Sequence, residues 1–264
     1  MKPIKLKPIQ SYFYPLMVGI FALGISMQAQ AQTVKVGIGA EPYPPFSSLD
    51  SSGKWVGWEI DFVEAVCAAG NLDCQITPIA WDGIIPALTA KQIDTIMGSM
   101  SITEERMKTV NFSNPYYNTP AVIVAEKRSN ITPDAKGLKG KILGVQVSTI
   151  HLAYAQKYFA DHVDELKIYQ TQDEINQDLV AGRIDATLAD AIALEAFLKA
   201  NEGACCESKG PVAFDEVILG SGVGAAVRKE DDALLNKLNA AIKAVIDSGE
   251  RDNITKRYFD APIY

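Results

Sequence analysis

Apolar and polar positions follow two alternating periods along the chain. Short strand-like runs are "VKVGIG" (34–39), "AVIVAE" (121–126), "KILGVQ" (141–146), "ELKIYQ" (165–170), "RIDATLA" (183–189) and "VGAAVR" (223–228). Between them, apolar residues recur every three or four positions, which predicts helices over 57–70, 81–90, 149–159, 172–182, 190–200 and 231–250. Gly70 ends the first of these, and Asp82 is the expected cap of the second, with Pro86 inside its first turn. Strands separated by helices predict α/β units with mostly parallel sheets.

One polar turn interrupts this pattern. "MGSMSITEER" (97–106) runs from a strand end into a helix start, and Ser101 with Glu104 has capping-box spacing. Arg106 then falls within the first helical turns, where a cation opposes the positive end of the helix dipole. Either Arg106 points to solvent, or the turn is built to hold an anion. An internal echo bears on the choice. "LTAKQIDTIMGSM" (88–100) lies on "LVAGRIDATLADA" (179–191) with Leu, Ala, Ile and Asp in register, and Ser99 falls opposite Asp190. Two similar α/β lobes follow, with polar residues at strand C-terminal ends, where such sheets bind ligands.

Composition narrows the class. The chain has 264 residues, 48% hydrophobic and 22% charged, which fits one large globular domain or two small ones. Its net charge of −7 has no basic block, so nucleic-acid binding is disfavoured. Lys2, Lys5 and Lys7, the apolar run 12–26 and "AQA" (29–31) form a signal-peptide pattern with cleavage after Ala31. Losing those three lysines and no acid takes the charge to −10 over the 233 residues left. In an exported chain, Cys67 and Cys74 suggest a local disulfide from a helix end to the next strand. Cys205 and Cys206 are adjacent; a neighbouring-residue disulfide, free thiols and an intermolecular bond are all open. His151 and His162 lack metal-site spacing to the cysteines, so no metal is expected.

The candidate chemistry is that of a zwitterion clamp. A carboxylate wants an arginine fork and free N–H groups at a helix start, which Ser101, Thr103 and Arg106 offer. An ammonium wants a carboxylate at a strand end, which Asp190 offers, although Asp190 equally suits the cap of the helix that follows. Tyr43 and Trp81 are aromatic walls or ordinary half-buried rings. Ser148 and Thr149 are plain caps or part of a second anion site. "GSGVG" (220–224) precedes a strand where a nucleotide loop needs a helix, no G-x-S-x-G occurs, and no cofactor is implied.

"YPPF", "VGWEIDF", "WDGIIPAL", "IDTIMGSMSITEER", "FSNPYY", "GKILGVQVST", "AGRIDATLAD" and "VRKEDDAL" occur in this order across the mature chain. Together they resemble the periplasmic polar amino-acid-binding proteins of ABC importers, above all the lysine/arginine/ornithine, histidine and opine binders. The resemblance implies an α/β, two-lobed periplasmic-binding-protein type II fold with two hinge strands. Residues 32–119 and 220–264 would form one lobe and 120–219 the other. It places a ligand carboxylate on Arg106 with Ser101 and Thr149, and the ammonium on Asp190 with Ser99 and Ser101. Tyr43 and Trp81 match side-chain-sandwiching positions, and Gly98, Gln146 and His151 match further lining positions. The Cys67–Cys74 spacing equals that of a disulfide in the histidine and lysine/arginine/ornithine binders.

Departures affect specificity. Basic-ligand members carry an acid three residues before the tyrosine. Here that position is Ala40, and Glu41 sits two before Tyr43 in a loop that looks one residue shorter. Gly98 replaces a serine and makes room, and His151 replaces a glutamine. Glu59 matches an acidic position near the side-chain end of the pocket. A large polar or cationic amino acid or an opine is therefore expected, bound without turnover by a periplasmic monomer that docks on an inner-membrane ABC permease. Two alternatives share the scaffold: an exported cyclohexadienyl (prephenate/arogenate) dehydratase, with Glu41 or His151 as general acid, and a ligand-sensing receptor.

Overall fold

The computed structural model describes residues 33–264; the expected signal peptide and its cleavage point lie outside the described residues. The first half contains β1 (Thr33–Gly39), β2 (Ser48–Leu49), β3 (Trp55–Val56), α1 (Trp58–Ala69), β4 (Asp73–Ile79), α2 (Ile84–Thr89), β5 (Thr95–Ile96), α3 (Glu104–Met107) and β6 (Val110–Phe112). It continues with β7 (Ala121–Glu126), β8 (Ile142–Gln146), α4 (Ile150–Tyr158), β9 (Glu165–Tyr169), α5 (Gln172–Val180), β10 (Ala186–Asp190) and α6 (Ala191–Lys199). The last elements are β11 (Cys206–Pro211), α7 (Glu216–Leu219), β12 (Ala226–Arg228), α8 (Asp232–Asp247) and α9 (Glu250–Tyr258).

Two five-stranded sheets result, in the orders β4-β1-β5-β12-β6 and β11-β7-β10-β8-β9. In the first, β12 runs against its neighbours β5 and β6 while β4, β1 and β5 are parallel. In the second, β7 runs against β10 and β11 while β10, β8 and β9 are parallel. Four of the five strands in each sheet therefore share a direction, and the two sheets have matching plans. The reversed strand of each is the one entered from the other sheet: the chain crosses through 113–120 into β7 and returns through 212–225 into β12. The crossing segments lie side by side. Tyr117 bridges Val223 antiparallel, and Val223 exchanges backbone hydrogen bonds with Tyr116 and Tyr117.

The strand β7 shows why the second sheet is covered on both faces. Alternate side chains Ala121, Ile123 and Ala125 pack under α4 residues such as Tyr154. The intervening Val122 and Val124 pack with Ile175 and Leu179 of α5 and Leu194 of α6. An apolar run without polar alternation is what a strand buried on two sides requires. In the first lobe, Phe46, Trp58, Phe62, Tyr116 and Tyr117 form a stacked aromatic core beneath α1. Cys67, in α1, is bonded to Cys74 of β4, and Cys205 is bonded to Cys206.

Several expectations are corrected. The helix at 81–90 is a 3₁₀ turn (Trp81–Gly83) followed by α2, whose N-cap is Gly83 with no side-chain cap, so Asp82 does not cap it. The long last helix breaks at Gly249, whose φ of 78° is left-handed, and restarts as α9. The strand expected to end at the polar turn is only two residues long, because the chain turns at once to bring Gly98, Ser99 and Ser101 to the space between the sheets.

Candidate ligand-binding site

The C-terminal ends of β1, β5, β8 and β10 face a cavity between the lobes, about 690 Å³ of unfilled space including its mouth. Eleven of the twelve residues expected at the site line it: Glu41, Tyr43, Trp81, Gly98, Ser99, Ser101, Arg106, Gln146, Thr149, His151 and Asp190. Glu59 does not. It is fully buried behind Ser99, where its carboxylate accepts from the Ser99 hydroxyl at 2.7 Å and from the Tyr116 hydroxyl.

The polar turn folds differently from its capping-box pattern. Ser101 is extended and bridges Val223 of the returning crossover. The N-cap falls two residues later, on Thr103, whose Oγ1 accepts from the Arg106 N–H at 3.2 Å. The helix α3 is only four residues long, so Arg106 sits in its first and last turn at once and meets little opposing dipole. The guanidinium turns inward. It donates to the Ser101 carbonyl at 2.9 Å and the Ser148 carbonyl at 3.4 Å, and its centre lies 5.7 Å from the Trp81 ring. Among the described residues it has no carboxylate hydrogen-bond partner, and most of its five donors remain free. Burial pulls its pKa down to about 10, the Asp190 charge acting in the opposite sense, so it remains a cation at neutral pH.

Asp190 faces it from the other lobe. It occupies the N-cap position of α6 without making a side-chain cap bond. Its Oδ2 instead accepts from the Tyr43 hydroxyl at 2.6 Å, and its Oδ1 lies 3.4 Å from His151 Nε2. Burial and the adjacent carboxylate hold the Tyr43 hydroxyl well above its ordinary pKa, so it stays a donor. The Thr149 hydroxyl is already in use: it caps α4 by accepting from Leu152 N–H and donates to the Gln146 carbonyl. What α4 offers to an anion is therefore its free backbone N–H groups.

The side wall is built from Glu41 and Trp81. Glu41 Oε1 lies 3.4 Å from the Trp81 N–H, and the Trp81 indole donates to the Ser148 carbonyl at 3.2 Å. The cation over the Trp81 ring is Arg106. Gly98 has a backbone reason as well as a pocket one, since a Cβ there would come within 3.2 Å of Ile38 Cα on β1. Gln172 and Ala189 also line the cavity. Sequence reasoning missed both, Gln172 being an unremarked first residue of α5 and Ala189 an apolar strand position. Tyr43 with Asp190, and Trp81 and Arg106 with Ser148, join the two lobes across the cavity, so the cleft is closed.

Two α/β lobes joined by paired crossovers, with a half-buried arginine and a buried aspartate facing one another across the cleft, define a periplasmic-type solute-binding protein. The chain belongs to the bacterial extracellular solute-binding proteins, family 3, whose pattern it matches over residues 34–261. It is 38% identical to the L-arginine-binding protein of Pseudomonas aeruginosa over 94% of this chain and 95% of that protein. It is 39% identical to the histidine-binding periplasmic protein of Escherichia coli, over 86% and 88% of the two chains. Among solved structures, an ancestral arginine-binding protein bound to arginine superposes with a TM-score of 0.77 at 34% identity, covering 86% of this chain and 98% of that one. An ancestral amino-acid-binding protein described as a precursor of cyclohexadienyl dehydratase superposes at 0.76 with 29% identity, covering 86% and 96%.

Proposed function

We propose that this solute-binding protein captures a cationic L-amino acid, arginine foremost, in the periplasm after signal-peptide cleavage and delivers it to an ABC permease. The observation that carries this is the opposed pair Arg106 and Asp190, one half-buried and the other buried, each on a different lobe; among the described residues no carboxylate is hydrogen-bonded to Arg106 and no lysine or arginine is paired with Asp190. A zwitterion bridging them would hold the cleft shut. Its carboxylate would take the free Arg106 donors and the N-terminal amides of α4, and its ammonium would take Asp190, Ser99 and Ser101. Glu41, beside Trp81, is the acid at the wall that suits a cationic side chain. The relatives' specificities for arginine and histidine support the same ligand class. The lobes would divide near residues 120 and 220.

The test is a thermal-shift panel on refolded mature protein, stripped of bound ligand, with the natural amino acids, ornithine, opines and prephenate. Ligand at about 100 times its Kd adds roughly 2.7 kcal/mol, several degrees for a chain this size. A shift with arginine or other basic amino acids is expected. A shift with prephenate alone would replace the proposal with the dehydratase and call for a turnover assay.

A further inference from the structure

The cavity wall at Ser99 is set from behind. The first turn of α1 is driven deep into the lobe, since Gly57, at φ 135°, lies so close to the Phe46 carbonyl that no Cβ would fit. This places Glu59 in the aromatic core, 1% exposed. Each of its oxygens meets one hydroxyl: Oε1 accepts from Tyr116 and Oε2 accepts from Ser99 at 2.7 Å. A fully buried carboxylate is costly unless hydrogen-bonded. Burial pushes the Glu59 carboxyl up in pKa, and the two hydroxyl bonds act against that push. Ser99 itself is held in the left-handed region, at φ 59°, an uncommon conformation for a residue with a Cβ and one that persists where its surroundings enforce it.

A serine hydroxyl has one hydrogen and two acceptor lone pairs. Because the hydrogen goes to Glu59, only lone pairs remain for the cavity. We infer that Glu59 is a positioning residue that fixes the polarity of Ser99, making this part of the wall acceptor-only, so that with Asp190 it selects a donor-only group on the ligand and rejects groups that must also accept. The inference rests on the amino-acid reading above and adds the element that would discriminate an α-ammonium from an α-hydroxyl. It gives Glu59 a role through Ser99, in place of the direct contact with a ligand side chain that its sequence position suggested.

The experiment is calorimetric titration with L-arginine and its α-hydroxy analogue, or histidine and its α-hydroxy analogue if histidine binds tighter. Wild type is expected to prefer the amino acid by a large factor. In Glu59→Gln the amide donates to Ser99 and turns its hydroxyl hydrogen toward the cavity. The amino-to-hydroxy preference should fall at least tenfold, with the hydroxy acid's own affinity changing less than threefold. Ser99→Ala should cause a similar fall, and the double variant little more. Tyr116→Phe removes the other hydroxyl on Glu59 and should leave the preference intact. If Glu59→Gln does not fold, Glu59→Asp, too short by one carbon to hold Ser99 in place, serves instead. Equal weakening of both ligands, or a Tyr116→Phe effect as large as that of Ser99→Ala, would mean that Glu59 only supports the core and would overturn the inference. Should wild type bind no amino acid at all, the functional proposal falls and takes this one with it. Normal amino-acid binding with an unchanged preference in Glu59→Gln defeats the Ser99 role alone.

Discussion

Arg106 keeps a charge where water is scarce, and burial has already cost it part of its basicity. Its companions are two carbonyls and an indole face, so a ligand carboxylate would be its first full counter-charge. Removing one side of a buried charge pair typically costs roughly 2–5 kcal/mol. Arg106→Ala should therefore weaken binding by about thirtyfold or more in calorimetric titration, and an affinity within threefold of wild type would remove Arg106 from the site. Glu41 is a finer test, because its carboxylate stands at the side wall, away from the zwitterion clamp. Glu41→Gln should lower affinity for arginine, lysine and ornithine while sparing neutral amino acids; competition titrations would show the split, and uniform weakening would deny Glu41 a specificity role. At this scale the sequence was informative where a polar or aromatic residue follows a strand, as at Tyr43, Trp81, Ser99 and Asp190. It misled at Glu59, and at Thr149 its reading of a plain helix cap is the one the structure holds. Which way a helix's first turn faces depends on neighbours distant in the chain.

Secondary-structure elements obey more local rules. The strands β7, β8, β9 and β10 and the helices α1, α4, α5 and α6 lie within a few residues of their apolar periods. The unheralded elements are the short β2, β3, β6 and α7, together with β11 and α9. The strand β11, "CESKGP", has no apolar alternation and exists because it adds to the exposed edge of β7. The helix α9 is polar on most of its surface and is held by packing on α1 and by bonds such as Thr255 accepting from the Trp58 indole. One charged cluster between elements gives a pH prediction. Asp178 of α5 accepts from Tyr169 and Lys167 of β9 and from Arg183, and these partners hold its carboxyl well below the usual range. A lowered native pKa adds stability above the unfolded value, near pH 4, that is lost as pH falls toward the native one. Asp178→Asn should thus lower Tm at pH 7, with the gap to wild type shrinking progressively below about pH 4. A gap that stays constant from pH 7 to pH 2 would show that the cluster acts by packing alone.

Across the whole molecule, the matching strand plans place β5 and β10 at equivalent positions, and their ends, Ser99 and Asp190, come to one cavity from opposite lobes. Contacts across that cavity are few: Tyr43 to Asp190, and Trp81 and Arg106 to Ser148. With so few, the open and closed forms should differ by a small free energy that a bridging ligand can reverse. Ligand should contract the radius of gyration of the wild-type protein in solution scattering. Asp190→Ala, which removes the second lobe's anchor, should show no contraction at millimolar ligand; contraction equal to wild type would mean that the lobes close without that anchor. The sequence by itself determined the α/β class, the duplication, the order of most elements and the residue types at the strand ends, because periodicity, capping and turn chemistry act over a few residues. Tertiary structure alone decided that Arg106 turns inward, that Asp190 leaves its helix uncapped and that Glu59 stands behind Ser99. Each of these depends on burial and on hydrogen-bond partners 40 to 150 positions away, which no local pattern encodes.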